Sequence, residues 1–277
     1  MVFIMRAMIF AAGLGTRLKP ITDRIPKALV EVGGKTLLER QIDELKMAGF
    51  NDIVINIHHF AQMIRDYLAA NGNFGADIYL SDESDELKDT GGGIKQASSL
   101  LDDGEPFLVH NVDILSNLNL NDLYDYHLSH AISNDTPLAT IVVSPRKTFR
   151  YFLFDRDNNL VGWMNEQTGE VKTPFKELAK SAMNNMKRRK NGSRECDFDV
   201  DKFLSSNNLS KYAFAGMHVM SPYVITLMQG WPNKFSIVDF YLQNCDKFNI
   251  RAYVKDDLKL VDVGKLQTLQ EAEEFVK

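Results

Sequence analysis

The 277-residue sequence predicts an α/β fold: a Rossmann-like, mixed and mainly parallel sheet flanked by helices, with a small β region and an inserted polar arm. Three observations carry this. Short apolar runs alternate with helix-period segments through the first half, the order that gives parallel strands joined by right-handed crossovers. The first run ends in a glycine-rich turn. After Pro145 the alternation gives way to strand, turn and strand, the mark of an antiparallel piece.

Taken in order, the spacing predicts strands over Met5 to Phe10, Asp52 to Ile57, Ala76 to Leu80, Phe107 to His110 and Leu138 to Ser144. Between them, apolar residues recurring at three and four predict helices over Thr36 to Ala48, Phe60 to Ala70, Gly92 to Leu101 and Asn121 to His130. Tyr151 to Phe154 and Leu160 to Met164 read as a hairpin closed by Asp155-Arg156-Asp157-Asn158-Asn159. From Lys176 to Lys211 the chain turns polar and asparagine-rich, with a basic run at Lys187 to Lys190 followed by Glu195, Asp197, Asp199 and Asp201, and it reads as an insertion. Ala213 to Met220 is a strand, Pro222 to Gln229 and Ser236 to Cys245 are helices, Arg251 to Val254 and Lys259 to Val263 are strands, and Gly264 to Val276 is a closing helix. The organisation expected is one domain over 1–277, with 1–144 and 145–277 as its two parts.

Composition excludes several classes. Hydrophobic residues at 44% and charged residues at 25% describe a globular chain. Its 32 basic and 37 acidic residues leave a net charge of −5, which argues against a nucleic-acid partner. Cys196 and Cys245 have no zinc-like spacing and are too few for a disulfide scaffold, so a reducing compartment, the cytoplasm, is expected. Arg6 interrupts the apolar start, and no run nears the roughly 18 residues of a membrane span.

The chemistry concentrates after the first strand, in Ala11-Ala12-Gly13-Leu14-Gly15-Thr16-Arg17-Leu18-Lys19-Pro20. Glycines let backbone N–H groups approach phosphate oxygens, Thr16 adds a hydroxyl and Arg17 a charged fork. The two commoner nucleotide motifs fail. Leu18 stands where the dinucleotide fingerprint needs a third small residue, and Leu29 where a Walker loop ending at Gly34-Lys35-Thr36 needs glycine. Pro26-Lys27 supplies a second cation close enough in sequence to share one anionic ligand with Arg17. Asp113 follows a strand at the carboxyl edge of the sheet. Asp262, flanked by valines, is costly there unless it is used.

The run from Ala11 to Gln41, AAGLGTRLKPITDRIPKALVEVGGKTLLERQ, resembles the signature of the sugar-1-phosphate nucleotidyltransferases. The resemblance implies the glycosyltransferase-A-like nucleotidyltransferase fold, with the nucleotide held in 1–144 and the sugar in 145–277. It implies that a nucleoside triphosphate binds at Ala11, Ala12, Gly13, Gly15, Thr16 and Arg17, with Gly91, Gly92 and Asn111 completing the nucleotide contacts. Arg17, Lys27 and Asp113 take catalytic roles; Lys27, Lys172 and Gly216 contact the sugar phosphate; Asp113 and Asp262 hold Mg²⁺. Two contexts depart from the family's pattern. Val112 replaces a common glycine, and Glu170-Val171-Lys172-Thr173-Pro174 stands in place of a Glu-Lys-Pro element.

The implied reaction is in-line attack of a sugar 1-phosphate oxygen on the α-phosphorus of a nucleoside triphosphate, with release of pyrophosphate and no protein nucleophile. The pattern lies nearest to uridylyltransferases acting on N-acetylmuramic acid 1-phosphate. Guanylyltransferases of mannose or heptose 1-phosphate, cytidylyltransferases of phosphocholine type and a silent nucleotide-sugar-binding subunit stay open. So does assembly into a homo-oligomer.

Overall fold

Continuous apolar runs make the first strands, because strands covered by crossover helices on both faces have no polar side to alternate. The computed structural model describes residues 5–131, 136–185 and 198–277. Its first stretch runs β1 (Met5–Phe10), the short pair β2 (Glu31–Val32) and β3 (Lys35–Thr36), α1 (Leu37–Met47), β4 (Phe50–Ile57), α2 (Ala61–Ala70) and β5 (Asp77–Asp82). Next come α3 (Asp89–Gln96), α4 (Ser98–Leu101), β6 (Phe107–Asn111), β7 (Ile114–Ser116), α5 (Leu120–Ala131) and β8 (Ala139–Ser144). The remainder comprises β9 (Arg150–Phe154), β10 (Leu160–Asn165), β11 (Glu170–Lys172), α6 (Lys176–Asn185), α7 (Val200–Asn207) and β12 (Ser210–Met220), then α8 (Tyr223–Met228), α9 (Ile237–Asn244), β13 (Ile250–Val254), β14 (Leu260–Asp262) and α10 (Leu266–Phe275).

The chain divides into two compact units. The first gathers the described residues up to Asp125 with Gly216–Ile237 and Leu258–Lys277; Tyr126–Ala215 and Val238–Asp257 form the second. In the first unit β1 lies parallel to both β4 and β6, with Met8 opposite Val54 and Val109, and β5 extends the sheet beyond β4. The later half of β12 pairs antiparallel with β6, Met217 opposite His110. Met8, Ile9, Val54, Ile55, Leu108 and Val109 are fully buried, each contributing about 2 kcal/mol. Helix α1 presents Leu37, Leu38, Ile42 and Leu45 to this core, and the Thr36 hydroxyl caps it by accepting from the Glu39 N–H at 3.0 Å. Gln41, on the same stripe, donates to the Ile114 carbonyl at 2.8 Å and so ties α1 to β7.

In the second unit β9, β10 and β11 form an antiparallel meander, with the start of β12 on the other side of β9; β8 and β13 pair in parallel. The expected turn forms at Asp155, whose Oδ1 accepts from the N–H groups of Asp157 and Asn159 at 2.9 and 2.8 Å. The expected polar arm is, where described, two helices. Leu178 and Ala182 of α6 and Phe203 of α7 are buried with Tyr151, Leu153 and Met164, so the polar residues are the outer side of amphipathic helices. Asp199 caps α7 by accepting from the Lys202 N–H at 3.0 Å. Lys187 to Lys190, Glu195, Cys196 and Asp197 lie outside the described residues.

Candidate active site

The site begins where β1 ends. The N–H groups of Ala11 and Ala12 donate to Asn56 Oδ1 on β4, at 2.7 and 3.3 Å, so the first two residues of the loop are held by the sheet itself. Asn56 passes the link on, its Nδ2 donating to Glu83 Oε1 at 2.7 Å, and Glu83 Oε2 accepts from the Lys88 N–H at 2.9 Å. Glu83 has no exposed surface, and this network gives both carboxylate oxygens a partner. Asn56 and Glu83 escaped sequence reading, although an asparagine inside Val54-Ile55-Asn56-Ile57 is a polar interruption that a buried strand tolerates only with partners.

Beyond Ala12 the loop opens. A Cβ placed on Gly13 would meet no atom within 4 Å, whereas one on Gly15 would lie 2.8 Å from Thr22 Cγ2, and Gly15 has φ +61°. Thr22 Oγ1 donates to the Gly15 carbonyl at 2.8 Å and locks that turn. Thr16 and Arg17 are exposed. The Arg17 guanidinium and the Asp262 carboxylate both crowd Gly264, each 2.6 Å from where its Cβ would be.

Lys27 follows Pro26 and is buried, its ammonium paired with the Asp113 carboxylate. Asp113 sits just past β6, and its carbonyl accepts from the Val263 N–H at 2.8 Å, next to the register pair of Asp262 with Ile114. The fold thus brings the two predicted metal aspartates close together, Asp113 immediately before β7 and Asp262 at the end of β14, which pairs with β7. Among the described residues no group of three or more acidic, histidine or cysteine side chains forms a metal cluster. Two carboxylates remain, a hard oxygen set.

A cavity of about 320 Å³ lies over the carboxyl ends of β1 and β6, lined by Ala11, Ala12, Gly13, Lys27, Asn111 and Asp113 among others. Val112, the departure from the family's glycine, lines it too. Arg17 and Asp262 are outside that lining among the described residues. Gly216, with φ +78°, abuts the Asn111 amide, which a Cβ there would meet at 2.8 Å. Lys172 belongs to the second unit, half exposed, 3.8 Å from Glu170 and 5.3 Å from the centre of the Trp163 ring.

The second glycine run behaves differently from its expected use. The N–H groups of Gly91 and Gly92 donate to the Phe235 carbonyl at 2.9 and 3.1 Å, so they are spent within the fold. A Cβ on Gly91 would stand 2.3 Å from the Phe235 ring, and one on Gly92 2.4 Å from the Asn233 carbonyl. This close packing brings Lys234 to the cavity, where Asp89 and Thr90 also lie. Sequence reading missed Lys234, a lone lysine far along the chain. Three histidines are held within the fold: His58 Nδ1 lies 2.6 Å from the Glu83 carbonyl, and burial pushes His110 and His218 down to about 4 and about 3.

These features define a class of protein: an open α/β sheet whose first glycine loop, a buried lysine and an edge aspartate surround one cavity. The nucleotidyl transferase family matches residues 6–277, and the chain belongs to that family. It is 46% identical over 109 residues to the N-acetylmuramate alpha-1-phosphate uridylyltransferase of Caulobacter vibrioides, covering 39% of this chain and 45% of that one. It is 37% identical over 145 residues to the mannose-1-phosphate guanyltransferase of Gibberella zeae, covering 52% and 39%. The matched region thus spans less than half the length of these relatives. Among solved structures it resembles HddC from Yersinia pseudotuberculosis complexed with GMP-PN (21% identity, TM-score 0.67, 99% of this chain and 100% of that one). A UDP-glucose pyrophosphorylase complexed with UDP-glucose is similar in fold (17%, TM-score 0.68, 98% of each). No helix among the described residues is long and apolar enough to cross a membrane.

Proposed function

We propose that the protein is a sugar-1-phosphate nucleotidyltransferase, joining a nucleoside triphosphate and a sugar 1-phosphate into a nucleotide sugar with release of pyrophosphate. The observation that carries this reading is the buried Lys27–Asp113 pair on a cavity opened by Gly13. The carboxylate fixes where the buried ammonium stands on the cavity wall, so that its N–H donors are already in place for phosphate oxygens. Gly13 lets a phosphate approach the backbone, and Arg17 offers a mobile fork to the departing pyrophosphate. Asn111 and Lys234 line the space left for the rest of the nucleotide.

Asp113 and Asp262 fit Mg²⁺, which takes one or two protein carboxylates and fills its shell with phosphate oxygens and water. Bound there, the ion supplies charge neutralisation between the reacting phosphates. Lys27 then positions Asp113, and α1, through Gln41 and β7, fixes the edge from which Asp113 projects.

Uridine triphosphate and N-acetylmuramic acid 1-phosphate are the favoured pair, supported by the 46% identity to a relative so named. That assignment fits a place in the making of nucleotide sugars for the cell wall. The cytoplasm is the favoured compartment, in keeping with Cys245, a free, buried thiol pushed up to about 12 and therefore inert. The test is pyrophosphate release in Mg²⁺, pairing five nucleoside triphosphates with N-acetylmuramic acid, mannose, heptose and glucose 1-phosphates. Release with one pair is expected. Nucleotide binding by calorimetry with no release for any pair would move the reading to a silent nucleotide-binding relative.

A further inference from the structure

Each carboxylate proposed for Mg²⁺ has a cation of the same chain beside it. Lys27 starts a short turn, Lys27–Leu29, which Val30 closes by donating its N–H to the Lys27 carbonyl at 3.1 Å, and the ammonium pairs with Asp113. Arg17 lies in a similar turn, Thr16–Leu18, anchored by the buried Leu18, and its side chain is exposed. Gly264 is where Arg17 approaches Asp262. Its Cβ would stand 2.6 Å from Arg17 Nη2 and 2.6 Å from Asp262 Oδ1, so these two atoms are no more than twice that distance apart. Opposite charges that near stabilise each other. All of these residues belong to the first unit.

The aspartates are the anchored side of the arrangement. Val263 donates its N–H to the Asp113 carbonyl at 2.8 Å, and Thr268 Oγ1 donates to the Asp262 carbonyl at 2.8 Å, so both backbones are tied down. The cations reach them on long side chains from the glycine loop and the turn after it. These four side chains carry no net charge. A bare dication is therefore drawn to the carboxylates by no excess of negative charge, and the ammonium and the guanidinium each repel it. A triphosphate reverses the balance, because its oxygens accept hydrogen bonds from Lys27 and Arg17 and its charge outweighs theirs.

We propose that Arg17 and Lys27 are resident counter-ions that compete with the metal for Asp262 and Asp113, so that the metal binds together with the triphosphate and poorly without it. Given the nucleotidyltransferase reading on which this rests, the same two residues favour the phosphates and oppose the bare metal.

Opposite signs in two binding experiments test the competition. Mn²⁺ alone is titrated into the protein and the free ion followed by electron paramagnetic resonance. Tripolyphosphate, which has the charge of the triphosphate and no base, is titrated by calorimetry in metal-free buffer. Arg17→Met should bind Mn²⁺ about tenfold or more tightly than the parent, the effect of deleting one unit charge near a dication, and should bind tripolyphosphate more weakly. Lys27→Met should shift both in the same directions. Arg17→Lys keeps the charge and should bind Mn²⁺ as the parent does, while Asp262→Asn on the Arg17→Met background should abolish the gain. Arg17 is exposed, so its variants decide the matter even where Lys27→Met, which leaves a partly buried carboxylate unpaired, fails to fold by circular dichroism. Unchanged or weaker Mn²⁺ binding in Arg17→Met overturns the competition, as does a gain that survives Asp262→Asn or one that leaves tripolyphosphate affinity undiminished. Pyrophosphate release by the parent is assayed in parallel. Opposite shifts without release from any substrate pair would break the proposed function and leave the counter-ions standing; release with an unshifted Mn²⁺ affinity would do the reverse.

Discussion

The two glycine runs of the first unit look alike in sequence and serve opposite ends. At Gly13 the missing side chain leaves open space on the cavity, while at Gly91 and Gly92 it is filled by the ring of Phe235 and the carbonyl of Asn233. One run makes room for something outside the fold; the other lets the fold close on itself and carry Lys234 to the site. Glycine in a motif therefore signals close approach, and only the three-dimensional neighbour says of what.

Four substitutions sharpen that contrast. The largest effect is expected at the pair that both loops surround. Asp113→Ala removes the partner of Lys27 and a proposed metal ligand, and should lower pyrophosphate release at least about 10²-fold with the circular dichroism spectrum retained. Turnover within a few-fold of the parent would remove Asp113 from the chemistry. Asn56→Ala comes next: it deprives the Ala11 N–H of its acceptor and Glu83 of a donor inside the fold, and urea unfolding should show a loss of about 2–3 kcal/mol.

Gly91→Ala puts a methyl 2.3 Å from the Phe235 ring, so it should cost about 1–3 kcal/mol in the same assay by forcing that segment outward. Gly13→Ala is the smallest change and the most diagnostic. Its methyl meets no protein atom, so unfolding should move by less than about 0.5 kcal/mol while nucleotide affinity by calorimetry falls about tenfold. If Gly13→Ala unfolds as readily as Gly91→Ala, or Gly91→Ala weakens only binding, the two runs do not divide the work as described.

Much of the first unit was legible because its signals are local. The apolar run of β1 and the glycine loop adjoin in sequence, and periodicity marked α1 and α2 to within a residue at each end. The aspartates were legible as short contexts resembling a family, which is how Asp113 and Asp262 could be named together although only the pairing of β7 with β14 makes them neighbours. Lys234 was not legible, since it reaches the cavity through the packing of Asn233 and Phe235 on two glycines far earlier in the chain. Helices α6 and α7 were hidden for a different reason: their solvent side outweighs the apolar positions Leu178, Ala182 and Phe203 in composition.

The pairing of β14 with β7 also orders events in time. Lys27 and Asp113 leave the ribosome early, but Asp262 emerges only after the whole second unit has been translated, at ~5–20 residues per second an interval of roughly ten to thirty seconds. A nascent chain therefore carries Lys27 and Asp113 well before it carries the second carboxylate, Asp262. Chains stalled or clipped before β14 would accumulate with half of that ligand set, and full-length synthesis would be the step that completes it.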